Sequence, residues 1–231
     1  MPLINVSYAA QVSESQKAEL IAELTKTYAR VMGTQESSVW VMLNEVPRAD
    51  WGVGGQSLAH MDVQKSQPEP TVKVRQATSD DMARLAEIEA ECFPAAEAAS
   101  LESLSARFNV FWDHFWVLEA DGEIVSFING MVTDSPVIFD ELFEDANAHT
   151  RYGAYQSIFG INTLPDYRGR GYAATLINKL IEQARDEKRT GVILTCKEEL
   201  IGYYSQFGFE LDGVSDSTHG GARWHDMTLH F

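Results

Sequence analysis

The chain opens on an alternation. Ile4, Val6 and Tyr8 interleave with Asn5 and Ser7, which predicts a strand over Leu3 to Tyr8, and the apolar, partly β-branched run Val39 to Leu43 predicts a second. Between them Ser13-Glu14-Ser15-Gln16 has the form of a capping box: the Ser13 hydroxyl can satisfy an orphan amide while Gln16 reaches back. The helix so started carries Leu20, Ile21, Leu24, Tyr28 and Val31 on one face and meets its stop at Gly33. Strand, crossover helix and strand imply a right-handed βαβ unit with parallel strands. About sixty residues bury too little surface for a comfortable lone fold, so this unit is expected to form a homo-oligomer.

The stretch Asp62 to Pro70 contains two prolines and little to bury, and reads as a linker. The domains are therefore expected at 1–62 and 71–231, with 63–70 between them. In the second, the pattern predicts a strand over Thr71 to Arg75 and a helix capped near Thr78 or Ser79 with Met82, Leu85, Ile88 and Cys92. A further helix follows from about Leu101 to Phe108, then a hairpin from His114 to Val132 that turns at Asp121-Gly122. After an acidic excursion, Asp134 to Ala148, come a strand (Tyr155 to Leu164), a helix (Gly171 to Asp186) and a strand (Val192 to Cys196). A short helix (Glu198 to Gln206) and two strands (near Phe209 to Leu211 and Arg223 to His230) close the chain. The class is α/β.

Charge narrows the function. The 231 residues hold 18 Lys+Arg against 34 Asp+Glu, a net −16, with 45% hydrophobic residues. Residues 1–70 contain 5 basic and 8 acidic side chains, leaving 13 and 26 for the remainder, so most of the acidity lies in the second domain. Such a chain is a poor binder of nucleic acid or anionic membrane, although a local basic cluster can still hold an anionic cosubstrate. Cys92 and Cys196 form neither a metal pattern nor a disulfide framework and fit a reducing cytoplasm. No apolar run approaches a membrane span, and the start has no signal-peptide pattern. His149, His219, His225 and His230 show no ligand spacing, so no metal site is expected.

Two places carry candidate chemistry. The first is Pro2: with Met1 trimmed, its secondary amine becomes a base or nucleophile near neutral pH if burial lowers its pKa. The second is Ile161-Asn162-Thr163-Leu164-Pro165-Asp166-Tyr167-Arg168-Gly169-Arg170-Gly171-Tyr172-Ala173-Ala174. Here a strand ends, a glycine-rich turn follows and a helix begins, so unpaired amides and the positive end of a helix dipole converge on one anion seat. Gly169 and Gly171 give the backbone access, and Arg168 and Arg170 add local positive charge.

Pro2-Leu3-Ile4-Asn5-Val6, the capped helix, Ser38-Val39-Trp40-Val41 and Trp51-Gly52-Val53-Gly54-Gly55 together resemble the 4-oxalocrotonate tautomerase family. That family moves protons in enol and keto acids with an amino-terminal proline, a role the resemblance gives to Pro2. Trp51 falls where the family has a pocket aromatic, whereas Val12 and Trp40 replace the two carboxylate-binding arginines. Arg168-x-x-Gly171-x-Ala173 resembles the acetyl-CoA pyrophosphate signature of the GNAT N-acetyltransferase superfamily. Leu200 to Phe209 resembles its segment in which a tyrosine precedes a Gly-Phe strand start. The segment from Cys196-Lys197-Glu198-Glu199-Leu200 through Asp212-Gly213 looks closest to serotonin (arylalkylamine) N-acetyltransferases.

What the resemblance implies is a GNAT fold with a mixed, splayed sheet, and acetyl-CoA as cosubstrate. Ile161 and Thr163 would pair with its pantetheine arm. The stretch Gly169, Gly171, Tyr172 and Ala173 would offer amides to its pyrophosphate, screened by Arg168 and Arg170. Tyr204 would protonate the departing thiolate, with Tyr203 as a core aromatic. The acceptor would be a small primary amine. Ser157 and Phe159 stand where serotonin N-acetyltransferases carry two histidines, so the base is unassigned, with Glu91, Glu97 and Asp134 conceivable. Phe108, Phe111, Trp112, Phe115 and Trp116 are either an aryl-accepting pocket or core. A second reading stays open: an acetyl-CoA sensor or scaffold assembled by an inactive tautomerase-like module.

Overall fold

A computed structural model of the chain describes residues 2–66 and 70–231. It divides into two compact units, residues 1–69 and 70–231.

The first unit is built on β1 (Leu3–Tyr8), α1 (Glu14–Met32) and β2 (Trp40–Glu45), with β1 and β2 parallel in the register Leu3↔Trp40 to Tyr8↔Glu45. The capping box forms as its spacing demands: Gln16 N–H donates to Ser13 Oγ (3.3 Å) and Ser13 N–H to Gln16 Oε1 (2.9 Å). Gly33 ends the helix in the left-handed region (φ 63°). A small hairpin of β3 (Gly52–Val53) and β4 (Gln56–Ser57) leads into α2 (Leu58–Ser66). This helix occupies residues 63–66, which the sequence assigns to a linker. Of that linker, residues 67–69 lie outside the described residues, as does Met1.

The second unit runs β5 (Val72–Gln76), α3 (Met82–Cys92), α4 (Leu101–Phe111), β6 (Phe115–Ala120), β7 (Glu123–Asn129), β8 (Val132–Thr133), α5 (Asp140–Glu144), β9 (Tyr155–Ile158) and β10 (Gly160–Thr163). It continues with α6 (Tyr172–Asp186), β11 (Gly191–Cys196), α7 (Ile201–Ser205), β12 (Glu210–Val214) and β13 (His225–His230). The strands form two sheets, ordered β10-β7-β6-β5 and β12-β13-β11-β9-β8. All neighbours are antiparallel except β9 and β11. Helix α6 buries Leu176, Ile177, Leu180 and Ala184 against β6, β7, β10 and β11, each large side chain contributing roughly 1.5–3 kcal/mol. On the other flank, α3 presses Leu85 and Ile88 onto β7 and β10. Its start is fixed by Arg75, which donates to both oxygens of Asp81 (2.7 and 3.0 Å) and to Glu119 (2.6 Å).

One expected strand becomes two. Tyr155 to Leu164 divides at Phe159, β9 joining one sheet and β10 the other. At the apex the strands stay bound together: Ser157 N–H donates to Met131 O and Phe159 N–H to Asn129 O, both at 2.8 Å. Gly130 makes this approach possible, since a Cβ there would lie 1.9 Å from the Ser157 carbonyl oxygen. Beyond Phe159 the sheets part and a wedge opens. Among the described residues, no helix is long and apolar enough to cross a membrane.

Candidate active site

The wedge holds a cleft of about 1230 Å³ walled by β10, the end of β11, α3, α4, α5, α7 and the loops 93–100 and 217–224. Strand β10 gives it a free backbone edge. Leu164 N–H donates to Val125 O (3.0 Å), and antiparallel pairing alternates, so Asn162 and Gly160 face β7 while Ile161 and Thr163 turn their main-chain groups the other way. No strand among the described residues lies on that side. The Thr163 carbonyl takes Cys92 Sγ (3.4 Å) and Arg168 Nε (3.0 Å), whereas the outward N–H groups face the cleft.

The cleft reaches the start of α6, where Arg168 and Ala173 line it. Gly169 (φ 75°) and Gly171 (φ 80°) hold the left-handed conformation that swings the turn into the helix, and Gly171 caps it without a side-chain acceptor. The first amides of α6 are therefore unclaimed by the chain, at the positive end of a 15-residue dipole. Arg170 stacks over Tyr167 (5.3 Å) and donates to Asp166 O. Among the described residues neither Arg168 nor Arg170 forms an ion pair with a carboxylate. Tyr172 offers its amide only; its ring belongs to the core.

Tyr204 lines the same cleft, beside Leu194 and Cys196. Burial pushes its phenol above the ordinary tyrosine range, so the hydroxyl stays protonated at neutral pH. Tyr203 is not confined to the core as the sequence reading expects: it is half-buried, packs edge-on against Phe207 (5.3 Å) and also lines the cleft. Cys196, pushed up to about 11 by burial, stays a thiol.

The aromatic run takes the core reading except at Trp112, which is 52% exposed. Phe111 and Phe115 are fully buried, Trp116 donates to Gln183 Oε1 (2.7 Å), and none of Phe108, Phe111, Trp112, Phe115 and Trp116 lines the cleft. The aromatic wall comes instead from Phe159, Phe143, His219 and Trp224, neighbours at 4.7, 5.3 and 6.4 Å. Asp140, itself on the cleft, holds the loop of this wall by accepting from Ser217 Oγ, Thr218 N–H and Thr218 Oγ1.

Of the three carboxylates considered as bases, Glu91 is exposed and outside the cleft, and Asp134 accepts from Ala154 N–H. Only Glu97 lines the cleft, ion-paired to Lys197 (2.8 Å). The sequence reading missed Glu89. It is buried in the cleft wall, its Oε2 accepting from Asn162 Nδ2 (2.8 Å) and its Oε1 from Ala99 N–H (3.1 Å). Burial pushes its pKa above the carboxylate norm, against those two hydrogen bonds and the charge of Arg107. A signal existed: Met82, Leu85, Glu89 and Cys92 follow a 3-4-3 spacing, which puts a carboxylate inside an apolar stripe.

In the first unit, Pro2 is half-buried immediately before β1, and its carbonyl accepts from Trp40 N–H (3.0 Å). Trp51 precedes the β3–β4 hairpin and accepts from Leu58 N–H (2.9 Å).

Residues 82–209 match the "Acetyltransferase (GNAT) family", which is more than half of the chain. The chain belongs to that family. Residues 2–61 match "Tautomerase enzyme", so a tautomerase domain precedes the GNAT domain. Over that part the chain is 42% identical across 55 residues to a "probable tautomerase" of Ralstonia nicotianae, covering 24% of this chain and 79% of the relative. N-acetyltransferase 8B of Homo sapiens is 26% identical over 121 residues, covering 51% of this chain, and the match spans 47% of that relative's length. Among solved structures, the GphF GNAT-like decarboxylase in complex with isobutyryl-CoA superposes with a TM-score of 0.60 at 19% identity, covering 68% of this chain and 98% of that one. At that identity the likeness shows the fold.

Proposed function

We propose that the second unit transfers acetyl from acetyl-CoA to a small primary amine by direct attack. The observation that carries this reading is the free edge of β10 running into the uncapped start of α6, with a buried phenol in the same cleft. Ile161 and Thr163 would bind the pantetheine arm as an added strand, and the amides of Gly171, Tyr172 and Ala173 the diphosphate, with Arg168 and Arg170 beside it. The outward N–H of Ile161 suits the oxyanion that develops as nitrogen attacks the thioester carbonyl. Tyr204 would then give its proton to the leaving sulfur. The acceptor end favours a cation on an apolar body: Glu89, Glu97, Glu102, Asp140, Glu144 and Glu199 outnumber Arg107, Arg168 and Lys197 along the cleft, and the aromatic wall lies among them.

Thiol release with a panel of arylalkylamines, polyamines and amino acids tests the reading. Acceptor-dependent release supports it; acetyl-CoA binding without such release supports the sensor or scaffold instead. Tyr204→Phe is expected to lower turnover about 100-fold, most at high pH where solvent protons are scarce, with acetyl-CoA affinity by calorimetry unchanged. Equal turnover removes the acid role.

The family match of the first unit favours a second activity, ketonisation of a small enolised keto acid by the Pro2 amine. Phenylenolpyruvate ketonisation is expected in the native protein and lost in Pro2→Ala, and equal rates would refute it. The same unit would assemble the chain into a homo-oligomer. Two free cysteines suit the reducing cytoplasm.

A further inference from the structure

The attacking nitrogen must shed a proton, and β10 carries no titratable side chain to receive it. Within the transferase reading, we propose that Glu89 is the general base, a catalytic carboxylate tied through Asn162 to the strand that would hold the thioester.

Position argues first. Asn162 lies between Ile161 and Thr163, so the 2.8 Å bond from its amide to Glu89 Oε2 fixes the carboxylate to the backbone that would bind the acyl donor. The second bond, from Ala99 N–H to Oε1, fixes it to the loop at the cleft mouth. Each oxygen accepts a single protein donor in these contacts and keeps a lone pair. Gly160 leaves room beside Oε2, since a Cβ there would stand in van der Waals contact with it at 3.8 Å.

The proton also has somewhere to stay. The Oδ1 atom of Asn162 is buried without a partner. Turning that amide by half a rotation presents an acceptor to a protonated Glu89, so the pair can hold either protonation state. Arg107 on α4 acts on this carboxyl as a positive charge, and the titratable His219 faces it from the loop before β13. Cys92 lies one turn along α3, and the Glu97–Lys197 pair further along the wall. Burial acts against ionisation and outweighs these stabilising contacts, moving the group toward neutral pH, where a base is most useful. Glu97 suits the work less because Lys197 already neutralises it at 2.8 Å.

The step balances. The ammonium gives one proton to a Glu89 oxygen and attacks as the free amine; the N–C bond forms and the C–S bond breaks, sulfur takes the Tyr204 proton, and the adduct nitrogen loses its second proton to water. Both residues return to their starting states by exchange with water.

The test is the pH profile of kcat/KM for the full chain with an acceptor from the panel. The native protein is expected to show an acid limb and a plateau. Glu89→Gln should lose about 100-fold or more at pH 7, then regain tenfold per pH unit up to the amine's own pKa, with acetyl-CoA affinity unchanged. With an acceptor already neutral at pH 7, such as O-benzylhydroxylamine, the loss should narrow. The Glu89→Gln variant has a place in the fold, because the new side-chain amide can accept from Ala99 N–H and donate to a turned Asn162. Asn162→Ala, which removes a bond that favours the carboxylate, should move the acid limb to higher pH. A Glu89→Gln profile that matches the native one, or a limb unmoved by Asn162→Ala, overturns the base assignment alone. A native protein that binds acetyl-CoA and releases no thiol with any acceptor overturns the transferase reading, and this assignment with it.

Discussion

The two units solve the burial problem differently. In the second, Leu85, Phe111, Phe127, Ile128, Leu176 and Leu180 are wholly enclosed within the chain's own sheets and helices. In the first, Ala29 alone among the described side chains is buried. One face of the β1–β2 ribbon, Leu3, Trp40 and Met42, stands 55%, 58% and 47% exposed, and Val31 and Met32 at the end of α1 are more exposed still. The register places Leu3 beside Trp40, with Met42 next on the same face of β2 opposite the polar Asn5, so the three apolar side chains form one patch. A patch of this kind marks an interaction surface. The second unit has the core of a self-sufficient domain, while the first leaves much of its apolar surface uncovered.

That contrast can be broken experimentally. Phe127→Ala should have the largest effect, costing about 4 kcal/mol in the unfolding transition of the second unit, because a fully enclosed ring leaves a cavity there. Denaturant melts followed by circular dichroism would measure it. Next, Trp40→Asp should reduce the assembly to smaller species in sedimentation velocity and remove the concentration dependence of the first unit's melting, while the second unit's transition stays in place. An assembly of native size in that variant would show that the patch is not the contact. Smallest, Ser13→Ala should cost about 1 kcal/mol, confined to the first unit, by leaving one amide of α1 uncapped.

Legibility in the sequence also differed by region. The capping box at Ser13, the stop at Gly33 and the turn at Asp121-Gly122 are local devices whose chemistry is complete within a few residues, and each forms where the sequence puts it. The glycine turn from Arg168 to Gly171 was equally readable, since strand end, positive φ and helix start are all short-range events. The parting of β9 from β10 was not, because an unpaired strand edge depends on which sheet each half joins. Gly160 was the only local hint. The aromatic wall was hidden for a related reason: Phe143 is distant in sequence from His219 and Trp224 and meets them where loop 217–224 is pinned to Asp140. The dense aromatic run from Phe108 to Trp116 drew attention by composition, and packing used all of it but the exposed Trp112 as core. Glu89 lay between these cases, visible as a misfit in an apolar stripe but interpretable only once Asn162 stood opposite.

At position 130 a hydrogen atom is the largest substituent that fits, because the carbonyl of residue 157 occupies the space a methyl group would need. The angle of the wedge is thus set by main chain meeting main chain, which side-chain replacement elsewhere does not alter. Drift in the rim loops can repaint the entrance of the cleft while its inner end keeps its dimensions, so a change of lining there asks nothing of the hinge.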